Sequence, residues 1–287
     1  MPTAAYGEPV CGTSEGARGL PHPRLRRYVR GYDGYLLRGF EPGVHIGMPS
    51  TTLTVIVTID EPIDMPLSPH PAQPAGRWNA LASGLTTRPA LIAHRGYQHG
   101  VQLALTPLGS RALFGRPAAE LGSWLVDLTD LLGARAVELR ERLAATGDWA
   151  RRFAVLDEIL LRRVDDIELD PNLHCAWRLL TDPARRRPVA AVADEIGWSR
   201  RNLAIRFGSE FGITPKDADR LTRFERSHLL LRRPGAAIAA VAAAAGYYDQ
   251  AHMAREWREM AGLPPSRWLA RESFPFVQDH DTDPVKG

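Results

Sequence analysis

Lysine is almost missing from this 287-residue sequence, with Lys216 and Lys286 the only two among 36 Lys+Arg. Cysteine is as scarce: Cys11 and Cys175 are too few and too far apart for a disulfide framework or a cysteine-based metal site. A reduced, cytoplasmic setting follows as the default. Long apolar runs are missing too. The longest, Ala236–Ala245, has ten residues and is mostly alanine, well short of the roughly 20 a membrane helix needs. The opening twenty residues have no apolar stretch of the kind a secretory signal carries. No Ser-His-Asp set, phosphate loop or metal motif stands out. His45, His70, His94 and His99 lack the tight spacing of a ligand set, and no metal or cofactor is expected. Neither cysteine is placed for alkyl transfer, which needs an activated thiolate, so the chain does not read as an enzyme.

What is present is an ordinary globular composition, 44% hydrophobic and 24% charged, with a net charge of +3 that is unevenly placed. Pro171–Arg271 holds 17 Lys+Arg against 10 Asp+Glu, or +7, which leaves −4 for the rest. A basic segment on a mildly acidic remainder fits a nucleic-acid-binding module carried by a non-binding one. Nearly all of that charge is arginine, whose planar fork suits guanine edges and phosphates.

The basic segment writes one unit twice. Val189, Val192, Ala193, Ile196 and Gly197 reappear 49 residues later as Ile238, Val241, Ala242, Ala245 and Gly246. After the glycine the offset becomes 50, so that Ser199, Leu203, Phe207, Gly212 and Pro215 match Asp249, Met253, Trp257, Gly262 and Pro265. The second copy therefore carries one extra residue in its turn. In the first copy Ser199 is a good N-cap, and Leu203, Phe207 and Phe211 form an apolar stripe. Arg201 and Ile205 point away from that stripe with Asn202 beside them, and Gly212 closes the helix. Each copy thus reads as a short helix, a glycine turn, a capped second helix and a Gly-x-x-Pro exit, which is the plan of a helix-turn-helix. Between the copies, Thr214-Pro215 starts a long helix to Arg233. At about 1.5 Å per residue it is a strut of roughly 28 Å, against about 34 Å between successive major-groove entries. His228 lies on its apolar face and reads as a core histidine.

The first half reads as strands and then helices, an α+β chain overall. Tyr32–Phe40, Thr51–Ile59 and Gly100–Leu105 mix β-branched and aromatic residues between Pro- and Gly-rich turns. They suggest an antiparallel domain, barrel- or sandwich-like, with a loop at Pro66–Gly76. Helical patterns follow at Ser110–Phe114, Pro117–Leu125, Ala134–Ala144 and Trp149–Arg163. In the last, Trp149, Phe153, Leu156 and Leu160 form a stripe that either packs on its own domain or pairs with a second protomer. The expected division is a disordered leader at 1–19, a β-rich effector-binding or dimerisation domain at 20–165 and an all-α domain of two helix-turn-helix units joined by a long helix at 170–272. A disordered tail follows at 279–287.

Over roughly Asn172–Arg271 the chain resembles the AraC/XylS family of bacterial transcription regulators. The likeness rests on Ala245-Gly246-Tyr247-Tyr248-Asp249-Gln250-Ala251-His252-Met253-Ala254-Arg255-Glu256-Trp257 and the closing Gly262-Leu263-Pro264-Pro265-Ser266-Arg267-Trp268. Two positions depart from the family pattern: Ile205 stands where an arginine is common, and Pro264 where a capping Ser or Thr is usual. The resemblance implies a double-stranded-DNA-binding transcription regulator with both second helices in major grooves. It further implies a first half that senses a small molecule, dimerises, or both. Candidate partners are DNA, a small-molecule effector, RNA polymerase and a second copy, with no membrane.

In the first reading helix Arg201 is the leading base contact, bidentate to guanine, and Ile205 packs on a thymine methyl. Arg200 and Arg206 are placed for phosphates, and Asn202 for adenine or phosphate. In the second helix Arg255 is the base reader beside the small Ala251, with Gln250, His252 and Arg258 as flanking contacts. Two other readings stay open: an enzyme, such as a DNA alkyl-repair protein, with a DNA-targeting tail, and a ligand-independent architectural binder. Pocket aromatics in the first half could include Tyr32, Tyr35, Trp78 and Tyr97, although core packing accounts for each.

Overall fold

The computed structural model describes residues 12–182, 187–233 and 235–271. Two antiparallel sheets form the first half. The larger runs in the order β1 (Thr13–Gly19), β2 (Val29–Arg38), β9 (Gln98–Leu105), β4 (Leu53–Thr58), β7 (Ala80–Ser83), β10 (Leu125–Asp127). The smaller has the order β3 (Gly43–Gly47), β8 (Ala90–His94), β5 (Ile63–Leu67), β6 (Gly76–Trp78). Both sheets stay open at their edges, so the arrangement is a sandwich and not a closed barrel. Ile56, Leu81 and Leu125 of the larger sheet meet Ile63, Met65, Ala90 and Ile92 of the smaller in one apolar cluster.

Alternation along each strand sends the other side chains to the opposite face. There Val55, Val57, Val101, Leu103 and Leu105 join the main core with the helices that follow the strands. Those helices are α1 (Pro107–Phe114), α2 (Ala118–Leu121), α3 (Leu128–Leu132), α4 (Ala134–Ala144) and α5 (Trp149–Leu161). The α5 stripe packs on its own domain: Phe153, Leu156 and Leu160 are buried and Trp149 is half-buried. Gly34 permits that docking, because a Cβ there would stand 2.4 Å from the Trp149 ring. Tyr32 is part of this core, donating from its hydroxyl to Asp157 at 2.9 Å.

Three expectations change. Thr13–Gly19 is no disordered leader but an edge strand, paired in register with Gly19 opposite Tyr32 through Thr13 opposite Arg38. Its polar sequence fits an edge, where one side faces solvent. Residues 1–11 of that leader, the tail at 279–287 and Arg185-Arg186 lie outside the described residues. Pro117–Leu125 is not one helix, since α2 ends at Gly122 (φ 52°) and Leu125 opens β10. Pro66 does not mark a loop but stands inside β5, where the register with β8 shifts between Asp64 and Leu67. A proline has no N–H to give a ladder and is tolerated at such a bulge.

The second half is helical: α6 (Pro171–Thr181), α7 (Val189–Glu195), α8 (Arg200–Phe211), α9 (Pro215–Leu231), α10 (Ile238–Ala245), α11 (Gln250–Ala261) and α12 (Pro265–Arg271). The α9 rod has 17 residues, about 25 Å at 1.5 Å per residue. A capping box opens it, with Thr214 and Asp217 each bonding the other's backbone N–H.

Candidate nucleic-acid interface

The two repeated helices are built alike. Ser199 Oγ accepts from the Asn202 N–H at 3.1 Å, and Asp249 Oδ1 from the His252 N–H at 2.6 Å. Left-handed glycines end them, Gly212 at φ 76° and Gly262 at φ 74°. Their backs are buried: Leu203, Phe207 and Phe211 in α8, and Met253, Trp257 and Met260 in α11. Their fronts face solvent, with Arg200, Arg201, Ala204, Ile205, Gln250, Ala251, Arg255 and Arg258 all exposed. Ile205 is 61% exposed. Asn202 is half-buried.

Both helices are fixed to the same core. Trp177 of α6 packs on Phe207 and Phe211, with ring centroids 5.8 and 4.6 Å away. Trp257 Nε1 donates to the buried Ser227 Oγ of α9 at 2.8 Å. Glu256, on the inner side of α11, is held by Arg223 at 2.8 Å and Arg220 at 3.1 Å, both on α9. Burial works against the Glu256 charge, but these two guanidinium groups outweigh it and hold the carboxyl below its ordinary range. His228 is buried among Trp257 and Trp268, as expected of a core histidine. Burial, assisted by Arg232, pushes its imidazole down to about 3.

Some of the anticipated contact residues have other ties. Arg206 pairs with Asp170 at 3.3 Å and lies over the Trp198 ring at 5.0 Å. His252 accepts the Tyr248 N–H at 3.3 Å and stands 3.4 Å from Glu256. Arg258 donates to the Ala254 carbonyl of its own helix at 3.3 Å. Arg200, Arg201 and Arg255 form no salt bridge with a described residue. Tyr248 escaped the reading of the sequence: it is the extra residue of the second turn and is 93% exposed, beside the α11 cap. The broken offset of the repeat was the signal that could have found it.

Helix α8 also touches the first half. Arg111 of α1 makes a forked ion pair with Glu210, both contacts at 2.7 Å, with Glu210 only 7% exposed. Gly212 abuts α2, where a Cβ would stand 2.9 Å from Ala119 Cα. Farther along, Glu225 of α9 accepts from the Thr51 hydroxyl at 2.7 Å, and Thr51 in turn accepts from Arg30 at 3.2 Å.

Between the sheets lies a cavity of about 390 Å³. Its walls come from both sheets, from α9 through Glu225, His228 and Leu229, and from Arg232 just beyond its end. Tyr35 lines it, whereas Tyr32 faces the opposite side of the sheet. Of the four histidines weighed as metal ligands, His45 and His94 come within 5.7 Å, His70 stacks on Trp124, and His99 pairs with Asp60. Among the described residues no group of three or more His, Cys, Asp or Glu is placed to share a metal ion. No described helix is long and apolar enough to cross a membrane.

The family described as "Helix-turn-helix domain" matches residues 173–271. An AraC-like transcription regulator of Streptomyces lividans is 31% identical over 173 residues, 55% of each chain. The chain thus spans about half the length of that relative. ToxT of Vibrio cholerae has a similar overall fold, with a TM-score of 0.52 at 10% identity over 92% of this chain and 99% of that one. An apo ToxT variant gives 0.51 at 10% identity over 90% and 97%.

Proposed function

We propose that residues 173–271, which match the helix-turn-helix domain family, are a DNA-binding domain of the AraC type and that the chain is a sequence-specific, double-stranded-DNA-binding transcription regulator. One observation carries the reading. Two capped helices with apolar backs present unpaired arginines, Arg201 and Arg255, on exposed fronts, and both are held by the same core. Arg201 and Arg255 are the base readers, each forked onto a guanine edge, and Ile205 packs on a thymine methyl. Asn202 and Gln250 reach adenine or phosphate beside them, and Ala251 leaves room for the groove floor. Arg200 and Arg258 neutralise phosphates, which position the protein without specifying sequence. Arg206 and His252 serve mainly by holding their own helices, because their partners Asp170 and Glu256 already engage them.

The division into a sensing part at 20–165 and a reading part at 170–272 belongs to the same proposal. The cavity between the sheets supports a small-molecule effector, since α9 forms one of its walls and α9 also braces α11. Dimerisation through the first half and contact with RNA polymerase complete the regulator role. The chain acts in the cytoplasm, without catalysis of its own.

The experiment is selection of bound sequences from a random duplex pool, repeated with Arg255→Ala. Wild type should enrich one motif. The variant should lose about 1–3 kcal/mol and relax preference at a single base pair. Equal weakening on every sequence would remove Arg255 from base reading, and failure of wild type to enrich any motif would sink the regulator.

A further inference from the structure

We propose that the cavity between the sheets binds a neutral, largely apolar molecule bearing a hydroxyl group, which donates to Asp33 while the carbon skeleton rests on the apolar half of the cavity. This rests on the sensing role given above to the first half, and it names the chemistry sensed.

The pairing register builds the two-sided wall. One row across the larger sheet runs Arg18, Asp33, Gln102, Ile56, Leu81, each opposite the next on its neighbouring strand. All five line the cavity. The row is therefore polar at the β1 end and apolar toward β7, where Leu125 of β10, opposite Ser83, packs beside it. Across the gap Met65 and Ile92 of the smaller sheet extend the apolar end. A volume of about 390 Å³ lies within the range of small-molecule sites.

Asp33 fixes the head group. Its side chain is 7% exposed, and Oδ1 stands 3.2 Å from Arg18 Nε. That contact is an ion pair without hydrogen-bond direction, so Oδ1 is buried with no donor aimed at it. Gln98 Nε2, on the same face of β9, is likewise buried without an acceptor. Burial leaves the Asp33 carboxyl raised to about 6, with Arg18 opposing the rise. A ligand that only filled the space would leave these buried atoms without hydrogen-bond partners. A carboxylate head would meet the Asp33 charge, and an ammonium head would meet the Arg18 guanidinium beside the same oxygen. A hydroxyl carries no net charge and supplies the missing donor. The rim arginines Arg30 and Arg88 are exposed and solvated, so their pull on an acid is screened.

Calorimetric titration of the full chain with three probes on one skeleton tests this: 4-hexylphenol, 4-hexylbenzoate and 4-hexylbenzylammonium. The phenol should bind tightest. Asp33→Leu should weaken it by about tenfold to a hundredfold, Asp33→Asn should fall between, and Leu81→Trp should abolish binding by filling the apolar end. Circular dichroism checks that each variant is folded, and Asp33→Asn decides the question if Asp33→Leu is not. If the benzoate or the ammonium binds best, or if the Asp33 variants bind the phenol normally, the hydroxyl assignment is wrong. With Leu81→Trp still blocking those probes, the sensing cavity would stand. Binding that survives Leu81→Trp would remove the cavity itself and the sensing role with it. Binding of no probe at all would overturn the ligand class proposed here.

Discussion

Arg111→Ala is the substitution whose cost follows most directly from geometry. It leaves the Glu210 carboxylate on the inner side of α8, 7% exposed, without the guanidinium that now grips both oxygens at 2.7 Å. Removing one partner of a fully buried pair costs about 3–5 kcal/mol. Arg111 is 36% exposed, so water can reach the abandoned carboxylate from that side, and the penalty falls to about 1.5–3 kcal/mol. The loss should be local as well as global, because Glu210 shares a turn with the core residues Phe207 and Phe211. Urea unfolding should place Arg111→Ala lower by that amount. The pair Arg111→Met with Glu210→Leu should recover most of it, since no charge is then left stranded. Hydrogen exchange should quicken in α8 of the single variant and not in α5. A cost below about 0.5 kcal/mol, the level of an ordinary surface change, would refute the reasoning. So would equal destabilisation by the single and the paired substitutions.

Trp257→Ala should cost about 3–5 kcal/mol and abolish DNA binding by unfolding the second unit, visible as lost near-ultraviolet dichroism. Ser227→Ala, which strands the indole N–H that now donates at 2.8 Å, should cost about 1–3 kcal/mol by urea unfolding. Gly212→Ala should destabilise more than Gly262→Ala: both have φ near 75°, but only at Gly212 would the Cβ meet backbone, 2.9 Å from Ala119 Cα. Equal melting temperatures for the two would contradict the close approach. Glu256 has its carboxyl lowered in the fold, so the stability it contributes is present above its ordinary value of 4.5 and is lost as pH falls through the lower folded value. Glu256→Gln should accordingly flatten the acid limb of the stability curve while lowering stability at neutral pH.

The helical half was legible because local chemistry sets its boundaries. Ser199, Gly212, Asp249 and Gly262 are caps whose role depends on near neighbours, and the stripe Leu203–Phe207–Phe211 needs only helical spacing. The repeat supplied a second, independent copy of each signal. The first half depends on long-range pairing, which leaves a fainter trace. β5 hides behind Pro66, and β6 and β10 have three residues each, too short for alternation to register. Polar Thr13–Gly19 becomes a strand only because β2 offers an edge. The cavity was invisible for the same reason: Asp33 acquires meaning beside Arg18 and Gln102, and strand register alone makes them neighbours. Glu210 reads as one polar residue between two core phenylalanines until Arg111, 99 positions earlier, closes on it. Arg206 points outward by helical spacing, yet Asp170 and Trp198 detain it. Side-chain partners distant in sequence decide such cases, and periodicity carries no word of them.

Whether two helices read one duplex is best tested by the spacing of the bound site. On a selected motif containing both half-sites, insertion of 5 base pairs between them turns one half to the far face of the duplex. A rod of about 25 Å cannot follow, and affinity in a gel-shift titration should fall toward the level of a single half-site, with 10 inserted base pairs restoring the face but not the reach. Affinity unchanged by the 5-base-pair insertion would mean that only one of the helices bearing Arg201 and Arg255 enters the groove.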